Sequence, residues 1–86
     1  MSILKIVIKG QYFDEIKAGR KKVEYRDATP FWTSRLLTTE GKKRVYQQIE
    51  FINGYNKDAR RMITEFNGFS KKGDLYHIVI GKILKK

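Results

Sequence analysis

The stretch Gly19-Arg20-Lys21-Lys22-Val23-Glu24-Tyr25-Arg26 decides how the first part of this chain folds. Its glycine is typical of the residue that follows the last turn of a helix, because glycine adopts the left-handed conformation required there. A strand follows at once, and Lys22, Glu24 and Arg26 occupy every second position of it. Alternate side chains of a strand share one face and lie about 7 Å apart. The stretch therefore predicts a helix end, a turn and a strand with one charged face.

The opposite face of this strand carries Val23 and Tyr25, which can pack against a core. Lys21 lies at the entrance of the strand, next to the charged face. Two cations around a carboxylate can bind a phosphate or polarise a small substrate. The same pattern is also found on strand faces that simply contact water, where ion pairs contribute little to stability.

The composition bounds the size and the partners of the protein. A length of 86 residues predicts a single domain over 1–86. An apolar share of 41% and an aromatic share of 13% are typical of a folded globule. Lysine and arginine number 19 against 9 acidic residues, a formal net charge of +10. So much positive charge on a small body favours a polyanionic partner such as RNA, DNA or a phosphorylated small molecule.

Several functional classes are disfavoured by what the sequence lacks. There is no cysteine, so disulfides, thiolate metal sites and a cysteine nucleophile are excluded. The single histidine, His77, lies in an apolar run and is more typical of a structural residue, and we expect no metal and no cofactor. The first residues do not resemble a signal peptide, and no apolar run reaches membrane-spanning length. We therefore expect a soluble, cytoplasmic protein without a membrane partner.

The hydrophobic pattern predicts a mainly β fold of the α+β type. Phe13 and Ile16 lie three residues apart, which indicates one short amphipathic helix over 11–18. Residues 31–36 form either one turn or a loop. Alternating apolar residues predict about five strands, and the resulting architecture is a small, partly closed barrel with one early helix. The predicted strands span 3–9, 22–26, 44–52, 60–66 and 75–84, with turns at Asn53-Gly54 and Asn67-Gly68.

A longer motif surrounds the opening stretch. It reads Ile-Lys-x-x-Tyr-Phe-x-x-Ile-x-x-Gly-x-Lys-x-x-Glu-Tyr-Arg and is spelled by Ile8, Lys9, Tyr12, Phe13, Ile16, Gly19, Lys21, Glu24, Tyr25 and Arg26. Later segments continue it, namely Thr29-Pro30-Phe31-Trp32, Arg35-Leu36, IEFINGY over 49–55 and IGKIL over 80–84. The chain thus resembles the ASCH family, in its subgroup marked by Glu-Tyr-Arg.

This resemblance implies a PUA-like β-barrel and a cleft between the helix and the barrel wall. It also implies work on RNA, because the superfamily is populated by RNA-binding and RNA-modifying modules. Aromatic side chains beside a cationic cleft can stack on bases. The candidate binding residues are Lys9, Lys21, Glu24, Arg26, Trp32, Arg35 and Tyr55.

Two alternatives to RNA or nucleotide binding remain open. Some family members resemble amidohydrolases of acetylated cytidine and others resemble ribonucleases, so a small hydrolase is possible. The amidohydrolase members have a threonine nucleophile at the position where this chain has Glu24, so this chain lacks that nucleophile. Lys21 would then stabilise developing charge, and Glu24 or Glu65 would transfer the proton. The other alternative is an adaptor that binds an acidic protein.

Overall fold

The computed structural model describes residues 2–86. Within this range the chain forms five strands and two helices, and neither helix is long and apolar enough to cross a membrane. The prediction of a mainly β chain with five strands is confirmed. In chain order the elements are β1 (Ile3–Ile8), α1 (Gly10–Lys17), β2 (Val23–Asp27), α2 (Pro30–Leu36), β3 (Gln48–Asn53), β4 (Arg61–Lys72) and β5 (Leu75–Lys85).

All five strands belong to one sheet, which curls into a half-barrel. The strand order is β1-β3-β4-β5-β2, so the first two strands in the sequence are the two edges of the sheet. The pair β1 and β3 is parallel, and the other neighbours are antiparallel. The curl brings the two edges close together. The Arg26 guanidinium on β2 connects them by donating a hydrogen bond of 2.9 Å to the Val7 carbonyl on β1.

The core lies on the concave side of this sheet. Leu4, Ile6 and Ile8 alternate along β1 and are all buried, as the alternation predicted. Helix α1 adds the buried Phe13 and Ile16, whereas Tyr12, which its four-residue spacing from Ile16 assigns to the same apolar stripe, is exposed. Gly19 follows this helix with a φ of +80°, so the predicted glycine stop is present. The remaining buried apolar side chains come from α2 and from β3, β4 and β5, namely Leu36, Ile49, Phe51, Ile52, Met62, Phe69, Tyr76, Ile78 and Ile80.

A second helix follows Asp27, in the segment for which the sequence left one turn or a loop open. Pro30 occupies its first turn, where its missing N–H and fixed φ suit a helix start. Thr29 caps this helix, since its hydroxyl accepts a hydrogen bond of 3.3 Å from the Trp32 backbone N–H. Seven residues are too few for a periodic pattern to identify a helix, and only Leu36 is fully buried.

The third predicted strand begins later than the alternation indicated. The structure assigns strand geometry from Gln48, and Val45 is 82% exposed instead of facing the core. The preceding residues bind the end of α2: the Arg44 backbone N–H donates to the Leu36 carbonyl at 2.8 Å. An isolated bridge joins Leu37 to Lys43. Contacts with a neighbouring helix therefore override the local β propensity of this segment.

The predicted turn at Asn67-Gly68 lies inside a strand. β4 continues to Lys72, and its register with β5 shifts between Phe66 and Phe69. Gly68 has a φ of +88° there, a conformation typical of a glycine in a β-bulge. A bulge and a turn share the same glycine signal, so the sequence alone does not separate them.

We predict that Gly81→Ala destabilises the fold by about 1–3 kcal/mol, because a side chain here overpacks the interface of β4 and β5. A Cβ at Gly81 would lie 2.8 Å from the Glu65 Cβ, which cannot rotate away from the strand. Gly10→Ala is the matched control, since its Cβ would lie 3.5 Å from the Asn53 side chain, an ordinary contact. Urea denaturation measures both variants, and equal midpoints for Gly81→Ala and wild type would contradict the prediction.

Candidate functional site

The site is organised around a buried carboxylate in β2. Glu24 is 5% exposed. Its Oε1 lies 3.3 Å from the Lys21 Nζ, and its Oε2 accepts a hydrogen bond of 2.8 Å from the Arg26 Nε. The Arg26 Nη2 lies 2.6 Å from the same Oε2 and also donates to the Val7 carbonyl. One carboxylate therefore holds two cations, and one of those cations joins the two edge strands.

The prediction about the faces of β2 is reversed. Glu24 and Arg26 do share a face, but this face points inward, toward β1. Tyr25, on the face that was expected to pack, is 51% exposed and meets His77 of β5 edge to face. The reversal follows from the strand order, because β2 is an edge strand and a gap separates it from the other edge, β1. The charged face of β2 can point into this gap because its charges pair with one another.

Lys22 does not belong to this charged face, because β2 begins only at Val23. Before the strand, the backbone N–H groups of Arg20 and Lys21 both donate to the Glu15 carbonyl, so these two residues belong to the turn that follows α1. This turn directs Lys21 toward Glu24. The Arg20 side chain binds the Glu15 carboxylate at 2.9 Å instead, and this hydrogen bond raises the pKa of Arg20.

Glu24 and its two cations line a concavity of about 600 Å³ between the edge strands, which we call the seam groove. This volume lies within the usual range for small-ligand sites. The end of β3 and the loop that follows it also line the groove. The lining residues are Val7, Ile8, Lys9, Tyr12, Lys21, Glu24, Tyr25, Arg26, Asn53, Gly54 and Tyr55.

Lys21 is held between two aromatic rings as well as by Glu24. Its Nζ lies 5.4 Å from the ring centroid of Tyr12 and 5.2 Å from that of Tyr25. Such cation–π contacts stabilise a partly desolvated ammonium group. The Lys21 side chain is 18% exposed, so it still reaches the groove. Tyr12 and Glu24 thus fix the direction of the ammonium group without sealing it from solvent.

A second concavity of about 840 Å³ continues along the seam, and we call it the tryptophan groove. It shares Val7, Tyr25, Arg26 and Tyr55 with the seam groove. The Arg26 Cζ lies 5.1 Å from the Trp32 ring centroid. Arg26 therefore stands where the two grooves meet.

All seven predicted binding residues line at least one of these two grooves. Lys9 is exposed at the start of α1 and lines the seam groove. Tyr55 is 94% exposed and lines both grooves. Trp32 is half-buried and packs against the core, whereas Arg35 is exposed, with its Cζ 4.3 Å from the Phe31 ring centroid. Both belong to the tryptophan groove.

Glu65, the downstream candidate for proton transfer, is not brought to the site. It is exposed on β4 and lines neither the seam groove nor the tryptophan groove. Its Oε1 accepts a hydrogen bond of 3.0 Å from the Lys82 backbone N–H on β5. The carboxylate thus completes the contact between two strands near the register shifts of β4 and β5.

Sequence reasoning missed three contributors to the seam groove. Tyr12 was assigned to the apolar stripe of α1, although it is 42% exposed and contacts Lys21. Its place in the family motif, beside Lys9, was the available signal. The Val7 carbonyl and the Asn53 side chain leave no signal in the sequence, because their roles depend on which strands become neighbours.

The geometry suits the binding of an anion more than the transfer of a proton. Lys21, Glu24 and Arg26 together carry a net charge of +1, and Lys9 adds another cation at the rim. The two Glu24 oxygens are already engaged by Lys21 and Arg26, so the carboxylate orients these cations. Lys21 and Arg26 both line the groove, and Glu24 and Val7 leave the Nη1 group of Arg26 unused.

Comparison with known proteins identifies no relative of this chain. The chain matches no protein-family model, and no match is found among the curated proteins or the solved structures.

We predict that Glu24→Gln destabilises the protein by about 1–3 kcal/mol, because Lys21 and Arg26 lose the carboxylate that both of them pair with. Removing one partner of a fully buried pair costs about 3–5 kcal/mol, and water in the groove reduces that cost here. Glu15→Gln is the control, since its exposed pair with Arg20 is screened and little change is expected. Urea denaturation compares the two, and a Glu24→Gln protein as stable as wild type would refute the role given to this carboxylate.

Proposed function

We propose that this chain is an ASCH-like domain that binds single-stranded RNA, or one nucleotide within it, in the seam groove. The observation that carries the proposal is the convergence of Lys21 and Arg26 on one groove whose walls are tyrosines. The motif of the sequence and this geometry favour the same residues. The net charge of +10 adds a positive field that attracts a polyanion.

In this proposal the phosphate binds Arg26 and Lys21. A guanidinium donates charge-assisted hydrogen bonds to phosphate oxygens, and a lysine adds a point charge. Arg26 uses its Nε and Nη2 on Glu24 and Val7, which leaves the N–H groups of its Nη1 for the ligand. Lys9 at the rim supplies a third cation.

The base stacks on Tyr55 in the same proposal. Tyr55 is almost fully exposed and lies at the boundary of both grooves, so its ring is free to meet a ligand. Trp32, the other candidate for stacking, already packs against the core and lies near the Arg26 guanidinium. The proposal therefore favours Tyr55 over Trp32 as the stacking residue.

No observation favours the hydrolase alternative over binding. A hydrolase needs a nucleophile or a base that is free to accept a proton. The two oxygens of Glu24 are engaged by cations, and Glu65 lies outside the seam groove. An adaptor for an acidic protein would use the charge but would leave the tyrosines of the groove unexplained.

We predict that Arg26→Lys lowers the affinity for a labelled single-stranded RNA by about tenfold, or about 1.4 kcal/mol, because one ammonium group cannot bind Glu24, the Val7 carbonyl and a phosphate from the positions of a guanidinium. The net charge does not change, so diffuse attraction of the RNA is preserved. Arg61→Lys is the control, since Arg61 pairs with Glu50 outside both grooves. Fluorescence anisotropy gives the affinities, and circular dichroism confirms that each variant is folded. Equal affinities for Arg26→Lys and wild type would contradict a specific site at Arg26.

We predict that Tyr55→Ala weakens RNA binding by about 5-fold to 150-fold, the range that corresponds to about 1–3 kcal/mol for one stacked base. Tyr55→Phe should bind like wild type, because the ring stacks without its hydroxyl. The free energy of unfolding should change little in either variant, since Tyr55 is 94% exposed. If alanine and phenylalanine variants bind alike, the stacking role is wrong.

A further inference from the structure

A third concavity lies on the other side of Lys21. Its volume is about 540 Å³, and α1, the following turn and β5 contribute to it. Four of the residues that line it are lysines, namely Lys21, Lys22, Lys82 and Lys86, and none is acidic. We call it the lysine groove. The rest of its lining is glycine and isoleucine, so it offers cations without an aromatic surface.

The backbone holds Lys22 next to β5. The Ile80 N–H donates a hydrogen bond of 2.9 Å to the Lys22 carbonyl, just before the first residue of β2, next to the pair of Val23 and Val79. Lys82 follows Ile80 by two positions along β5. Within residues 2–86, the ion pairs of the protein include neither Lys22 nor Lys82. Their ammonium groups therefore keep their charge available for a ligand.

The three concavities are joined by shared cations. Arg26 lines both the tryptophan groove and the seam groove. Lys21 lines both the seam groove and the lysine groove. A ligand that follows the surface from Trp32 past Arg26 and Lys21 to Lys82 thus meets a cation at every passage from one groove to the next. Each passage carries a charge that suits a repeating anion.

We propose that the three grooves form one track for single-stranded RNA, in which the lysine groove binds backbone phosphates of nucleotides next to the one in the seam groove. This inference rests on the proposed function and extends it from one nucleotide to a strand. The seam groove and tryptophan groove contribute stacking, whereas the lysine groove contributes only charge. Its share of the affinity is therefore independent of the base and sensitive to salt.

The track makes affinity depend on ligand length. A dinucleotide fills the seam groove and the tryptophan groove, but it leaves the lysine groove empty. A longer oligouridylate of roughly eight nucleotides reaches all three, since compact single-strand-binding domains cover about 4–16 nucleotides. Each phosphate contact that is lost reduces the magnitude of the slope of log affinity against log salt by about 0.7 for a single strand.

The test compares the double variant Lys22→Ala/Lys82→Ala with the control Lys71→Ala/Lys72→Ala. The control removes the same charge from the exposed end of β4, away from the three grooves. For the double variant we expect about tenfold weaker binding of the longer oligouridylate than for the control, and a salt slope smaller by about 1.4. The affinity for the dinucleotide should be the same in both variants.

Three outcomes would overturn the track. If the double variant and the control lose equal affinity for the longer RNA, the lysine groove is not part of the site. If the double variant loses equal affinity for the dinucleotide and the longer RNA, these lysines act within the first site. In both cases dinucleotide binding that depends on Tyr55 would leave the proposed function standing. If the wild type binds neither ligand, the proposed function fails together with the track.

Discussion

The structure depends on one charge interaction, the Glu24 carboxylate held between Lys21 and Arg26. A carboxylate that is 5% exposed loses most of its hydration, and only close partners offset that loss. Both of its oxygens have such partners, at distances of 2.6–3.3 Å. Because Arg26 also binds the Val7 carbonyl, the same interaction joins the two edges of the sheet.

This way of joining the edges explains why a groove exists at all. Two strands that paired along their backbones would leave no space between them, and a long unpaired edge invites association with other chains. Here an arginine side chain spans the gap instead, so the edges approach each other and a cavity of about 600 Å³ remains. The cations that stabilise the seam are therefore the ones that a ligand meets. In the proposed function, anion binding and fold stability therefore use the same side chains.

Much of the fold was predictable from local patterns. Alternation along β1 identified its buried residues, and Gly19 marked the end of α1. Signals failed where a distant neighbour decides the conformation. Val45 follows strand-like alternation but is 82% exposed, directly after residues that bind the end of α2, and Gly68 forms a bulge where the Asn-Gly pair indicates a turn. Seven residues of α2 are too few to show a period.

The sequence alone determined the chemical content of the candidate site, because Glu24 and Arg26 lie two residues apart on one strand face and Lys21 lies in the turn just before that strand. It could not determine which way that segment faces. Only the order of strands in the sheet made β2 an edge opposite β1, turned its charged face inward and left Glu65 outside. Side-chain spacing is a local property of the backbone, whereas the meeting of two sheet edges depends on pairings between residues far apart in the chain.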